Sequence, residues 1–280
     1  MAQSTATLDV AHALFARYKT ESFAALRDSL PSRPAEYVAV VCELAALDGS
    51  LGWLAAMFGS TAGAADGLIA PSARGTGVVR DGRLTGRWDC VVGARYADLL
   101  LLSVDDGSGV LVPAVPGPAV HIEPAPGSVG LDGAGICAVT VTELAVAAGD
   151  LRPPDPRLAA GAAAAVIGCA DGVWRSHVER VRARLTVFHG GDEVTDDAAA
   201  QVARAASDID ASALQIIAAL DGAAELSGWA YRQAVARAHG AADRLLANSR
   251  HALDAADPVS LRWRDVQAGR RLADAVITRG

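Results

Sequence analysis

The chain has 280 residues, 51% of them hydrophobic and 20% charged, with a formal net charge of −7 and a pI near 5.3. That length can bury a large core as one domain or as two to three small ones, and the acidic balance excludes a general nucleic-acid binder, which needs a basic stripe for phosphates. Lys19 is the only lysine among 25 basic residues, and no glycine loop precedes it, so P-loop and Schiff-base chemistries are excluded.

Leu8 to Ala65 reads as helical. Pro34 opens a helix in which Tyr37, Val40, Val41, Leu44 and Leu47 recur at 3- and 4-residue spacing; it is expected to run to about Asp48, where Gly49 breaks it. A third helical piece is expected over Leu51–Met57.

From Ile69 to Ala148 glycine and proline cluster between short β-rich runs: Gly77–Arg80, Arg83–Gly86, Asp98–Val104, Gly109–Val112 and Val139–Val146. Asp81-Gly82 between two of them is a type I′ hairpin signal, and the turn spacing predicts a small antiparallel barrel or sandwich. Leu99–Leu102 reads as a strand buried on both faces.

The prolines at 153, 154 and 156 form a boundary. Beyond it four alanine-rich segments, about 156–187, 195–220, 223–253 and 258–278, predict an antiparallel four-helix bundle, with Thr195 capping the second. The 61 alanines of the chain fit this half, because small side chains let helices approach closely. The domains expected are therefore 1–68 (helical), 69–150 (β) and 151–280 (bundle). The longest uninterrupted apolar run, Leu158–Ala170, is too short to span a bilayer, and no signal peptide is legible. The cysteines Cys42, Cys90, Cys137 and Cys169 form no C-x-x-C pair, and the histidines show no metal spacing, so a cytoplasmic protein without a zinc site is expected.

Four stretches then point to a family. Cys42-Glu43-Leu44-Ala45-Ala46-Leu47-Asp48-Gly49-Ser50-Leu51-Gly52-Trp53 is similar to the "elA..DgS.gW" helix-turn of the acyl-CoA dehydrogenase superfamily, in particular its reduced-flavin-dependent monooxygenase branch. Arg80 to Trp88, followed by Ala97-Asp98, resembles that family's barrel motif; Asp197 to Ser212 resembles the second bundle helix; Leu261-Arg262-Trp263-Arg264-Asp265 to Arg270 resembles its terminal "lqR.wRDv.agr" helix. The resemblance implies helices, then a β-barrel, then a four-helix bundle. It also implies an FAD or FMN flavoprotein, a dehydrogenase or monooxygenase acting on a small or carrier-bound organic substrate. Such a protein would form a homo-oligomer, dimer or tetramer, or pair with a related subunit.

By that resemblance the flavin ring lies between barrel and bundle. Trp88 matches the tryptophan beside it, Val92 and Gly93 stand at its polar edge, and Arg182 or Arg184 is placed to meet a flavin phosphate. Ser50 and Trp53 are candidate substrate-pocket residues. Each has a packing alternative: Trp88 as interface filler, Trp53 and Ser50 as helix-packing and capping residues, the arginines as solvated ion-pair partners. Arg264 and Asp265 are expected to form a structural pair that orients the last helix.

The departures bear on chemistry. The family's flavin-edge hydroxyl is replaced within Asp89-Cys90-Val91-Val92-Gly93, the branch histidine position holds Leu272, and the "YEGT" glutamate is missing. His177, Glu179 and His189 are left as titratable candidates without a motif, and the acidic pairs Asp105-Asp106 and Asp192-Glu193 read as solvated loops. No G-x-S-x-G elbow exists. Two function classes follow: a flavin-dependent oxidoreductase, or a degenerate relative without flavin that serves as a partner subunit or runs cofactor-free chemistry.

Overall fold

The computed structural model describes residues 5–18, 22–73, 75–125, 129–153, 155–187, 194–222, 224–247, 254 and 256–277. Lys19, His189, Asp192 and Glu193 lie outside them.

Helices α1 (Thr5–Tyr18), α2 (Phe23–Asp28), α3 (Pro34–Leu47) and α4 (Gly49–Ser60) come first. Proline at the first helical position starts α3, as read from the sequence. The break after it is a single extended residue, Asp48, whose side chain accepts from Leu51 N–H at 2.9 Å and so caps α4. Gly49 is thus the first residue of α4 rather than a stop, and α4 is longer than the expected Leu51–Met57. Helices α3 and α4 meet very closely: a Cβ on Gly52 would lie 2.4 Å from the Ala45 Cα.

The β region forms two four-stranded sheets. One has the order β1-β4-β5-β8, from Ile69–Pro71, Leu99–Ser103, Gly109–Pro113 and Leu151–Arg152. The other has the order β2-β3-β7-β6, from Val78–Arg80, Arg83–Val91, Cys137–Ala145 and Val120–Pro124. Asp81 and Gly82 both take positive φ (49° and 73°), as the I′ hairpin requires. Three features differ from expectation. β1 pairs with β4 in parallel, because the β2–β3 hairpin intervenes and supplies the crossover a parallel pair needs. β3 runs nine residues, its alternation hidden by Gly86, which stands between the buried Leu84 and Trp88. β6 is an edge strand ending in proline, the place where a strand tolerates that residue. In β4, Leu100 and Leu102 are fully buried while Leu99 and Leu101 are half-buried.

The bundle comprises α5 (Arg157–Val187), α6 (Asp196–Ala219), α7 (Ala224–Ala247) and α8 (Pro258–Ile277), close to the expected segments. Thr195 caps α6 through Ala198 N–H. α5 is the central helix, packed against α3, α4, α6, α7 and α8. By length and composition it could cross a membrane, but 78% of its apolar window is buried within the protein, so its apolarity is spent on the core. A Cβ on Gly168 would lie 2.1 Å from the Cys42 carbonyl oxygen, which shows how closely α3 and α5 approach. Between them Arg175 binds Glu43 through two 2.7 Å bonds and Asp171 at 2.6 Å. Glu43 is only 1% exposed, so this pairing offsets the cost of burying its charge.

Candidate functional site

Two stretches quoted from opposite ends of the sequence meet at α8. Arg262 donates to the carbonyls of Ala46 (2.7 Å) and Leu47 (3.2 Å), satisfying the C-terminus of α3. Asp265 accepts from Leu131 N–H at 2.6 Å, and a Cβ on Gly49 would strike its carboxylate. Asp265 therefore orients the last helix, through the 130–133 loop, while Arg264 donates to Ser260 O at 3.4 Å. Trp53 is fully buried against Gly269 of α8.

Two hollows flank this helix. The larger, about 460 Å³, lies between α8 and the β2-β3-β7-β6 sheet with the connection from β6 to β7. Its sheet side is Cys90, Ala125, Val129 and Ile136; its helix side is Trp263, Arg264, Gln267, Ala268, Arg271 and Leu272. The smaller, about 270 Å³, is polar and includes Asp48, Ser50, Asp132, Gly133, Arg262, Arg264 and Asp265. Burial pushes the Asp265 carboxyl up to about 6, reinforced by the negative charges of Asp48 and Asp132 and opposed by the Leu131 N–H bond.

Of the cofactor and substrate candidates read from the sequence, Ser50 lines one of these hollows and the others lie outside both. Trp88 is 1% exposed within the β region, its Nε1 donating to Ser103 O at 3.0 Å and its ring against Gly75, Gly77 and Gly86. Val92 is buried, and Gly93 takes φ 79° against Phe58 and Leu54 of α4. β3 carries a register shift between Trp88 and Val91, beside which Cys90 is the residue that reaches the larger cavity. Ser50 lines the smaller hollow and accepts from Gly133 N–H at 3.1 Å. The Trp53 Nε1 is buried with no hydrogen-bond partner. Arg182 and Arg184 are exposed near the C-terminal end of α5 and do not line the larger cavity. Glu179 is exposed, and burial together with Arg180 and Arg184 lowers the His177 pKa, which favours its neutral form.

On the helix side of the larger cavity the sequence singled out Arg264 as a structural residue and Leu272 at the branch-histidine position, but not Trp263, Gln267, Ala268 or Arg271 as site residues. Arg264, Gln267, Ala268 and Arg271 fall at i, i+3, i+4 and i+7 on α8, a spacing that marks one face. Behind them Asp243 of α7 accepts from Trp263 Nε1–H (2.7 Å) and Gln267 Nε2–H (3.0 Å), and its other oxygen lies 3.2 Å from His239 Nδ1. Among the described residues no group of three or more histidines, cysteines or carboxylates could hold a metal ion.

The larger cavity suits a planar ring system. Its volume lies in the ~300–1,000 Å³ range of small-molecule sites, one wall is aliphatic, and the other offers an indole, an amide and two guanidinium groups. An isoalloxazine needs an apolar or aromatic wall and donors to its polar edge, and these residues fit it.

The architecture is that of the acyl-CoA dehydrogenase-like fold. The chain is similar to the HsaA monooxygenase from M. tuberculosis, at 24% identity over 85% of this chain and 78% of that one, with a TM-score of 0.70. A glutaryl-CoA dehydrogenase from Mycobacterium smegmatis, solved with FADH2, matches at 12% identity over 97% and 93% of the two chains (TM-score 0.67). KijD3, solved with FMN and a dTDP-linked amino-keto sugar, matches at 16% identity over 96% and 90% (TM-score 0.71). No protein-family model and no curated protein matches the chain by sequence.

Proposed function

We propose that the chain is a flavin-dependent oxidoreductase acting on a small or carrier-bound organic substrate, with the isoalloxazine of FAD or FMN seated in the cavity between Cys90 and α8. The observation that carries this reading is the cavity itself, opened between that sheet and the bundle in a fold whose neighbours were solved with FADH2 or FMN. The bound flavin would supply redox chemistry, by hydride transfer or by activating oxygen.

The protein's part is binding and orientation. Trp263 gives an aromatic wall, Ala125, Ile136 and Leu272 keep water from the ring, and Arg264 and Arg271 favour negative charge on its polar edge. Among the described residues the lining holds no carboxylate or imidazole, so proton transfer is assigned to none of these side chains. The reading includes a cytoplasmic location and self-association of the chain or pairing with a related subunit.

The test is a titration of the purified chain with FMN and FAD, oxidised and reduced, followed by visible absorption and thermal shift. Stoichiometric binding is expected, with a flavin spectrum altered by the site. A colourless protein whose melting temperature no flavin moves would overturn the reading in favour of a relative that has lost flavin.

A further inference from the structure

The polar cluster behind the larger cavity has a consequence for what the cavity selects. A carboxylate without a proton only accepts hydrogen bonds, so the Gln267 amide must present its NH2 to Asp243, as the 3.0 Å Nε2–Oδ1 contact shows. The amide oxygen sits on the opposite arm of the same planar group. The same Asp243 oxygen takes the Trp263 indole N–H, so both cavity-lining side chains are held from one point on α7. The second Asp243 oxygen faces His239, which is 7% exposed and in turn lies 3.2 Å from Arg270 Nη1.

The other described lining side chains are guanidinium groups, a thiol, an indole and aliphatic groups. Gln267 Oε1 is thus the one strong side-chain acceptor in the described lining, set between the donors Arg264 and Arg271 along α8.

We infer that Asp243 is a positioning residue that turns the Gln267 amide oxygen toward the cavity, so that the site selects planar ligands carrying a ring N–H or O–H donor. The imide N–H of a flavin belongs to this class, so the inference deepens the flavin reading and rests on the same cavity, but its test uses no flavin.

The test compares dissociation constants of 2-naphthol and 2-methoxynaphthalene, two planar probes that differ in the donor, for the wild type and for Gln267→Leu, Asp243→Asn and Asp243→Leu. The wild type is expected to prefer 2-naphthol by about fivefold, the scale of one neutral hydrogen bond. Gln267→Leu removes the preference. Asp243→Leu removes it as well, by freeing the amide to rotate, whereas Asp243→Asn keeps it because its carbonyl still accepts from Gln267. A merely structural role for Asp243 would lower the melting temperature without changing the ratio of the two constants. Equal affinities in the wild type, a ratio unchanged in Gln267→Leu, or a wild type that binds neither probe overturns the inference. Gln267→Leu removes the acceptor and its bond to Asp243 but leaves Asp243 paired with Trp263, and it decides the matter if Asp243→Leu does not fold. The flavin titration stands apart, so either proposal can fail alone.

Discussion

The two hollows beside α8 share Arg264 and little else. One sets an aliphatic sheet wall against an indole, an amide and two arginines; the other gathers Asp48, Asp132 and Asp265 around the junction of α3 and α4. In the second, the polar groups are largely engaged in holding the backbone: Asp48 caps α4, Asp265 and Ser50 secure the 131–133 loop, and Arg262 satisfies α3. In the first, two of the polar groups, the Trp263 indole and the Gln267 amide, are themselves held from behind, by Asp243. A side chain that fastens the fold is occupied, whereas one that is itself fastened can meet a ligand with little ordering cost.

The largest effect expected from this contrast lies on the fastening side. Trp53→Ala should cost ~3–5 kcal/mol in chemical denaturation, because a fully buried indole between α4 and α8 leaves a cavity. Trp53→Phe should cost far less, since the indole N–H it deletes has no partner. Equal losses for both would show that the contact needs the indole itself and not just a ring of similar bulk.

Asp265 gives a pH signature. Its folded pKa of about 6 stands above the unfolded carboxylate value, so between about pH 4 and 6 the folded chain holds a proton that the unfolded chain has released. Stability should therefore fall as pH rises through that window, by at most ~1.4 kcal/mol per pH unit, and level off above it. Asp265→Asn retains an acceptor for Leu131 N–H and should flatten this part of the profile. An unchanged slope in the variant would place the titration elsewhere.

On the ligand side the effects concern affinity. Arg271→Ala should weaken FMN binding about tenfold, the scale of one charge-assisted contact, with the melting temperature of the unliganded chain unchanged. Asp132→Asn in the other hollow should leave FMN affinity as it is. The reverse pattern would move the ligand to the smaller hollow. The smallest perturbation is chemical: Cys90 is the exposed cysteine while Cys42, Cys137 and Cys169 are buried. One thiol per folded chain should react with maleimide, and saturating FMN should slow that reaction. Unslowed labelling in a chain that binds FMN would remove Cys90 from the cavity wall.

Much of the fold was legible along the chain. Pro34 and the Asp81-Gly82 turn act through their own backbone geometry, Thr195 acts through a hydroxyl that reaches three residues on, and α6 and α8 follow from helical spacing within one segment. The edge strand β6 and the full length of β3 were not, because Pro124 and Gly86 disguise alternation that only the neighbouring strands stabilise. The site was less legible still. Trp88, Val92 and Gly93 stand out by motif, but which β3 residue reaches the cavity depends on pairing with β7 and on the register shift there.

The sequence by itself determined the order of helices, sheets and bundle and the motifs that resemble a flavoprotein fold, since each is written in local spacing and residue type. The tertiary structure decided that Arg262 completes a helix more than two hundred residues earlier, that Trp53 packs on Gly269, and that Asp243 stands behind Gln267. Those pairings arise from how α8 lies across α3, α4 and α7, and no local pattern encodes a contact whose partner is chosen by packing.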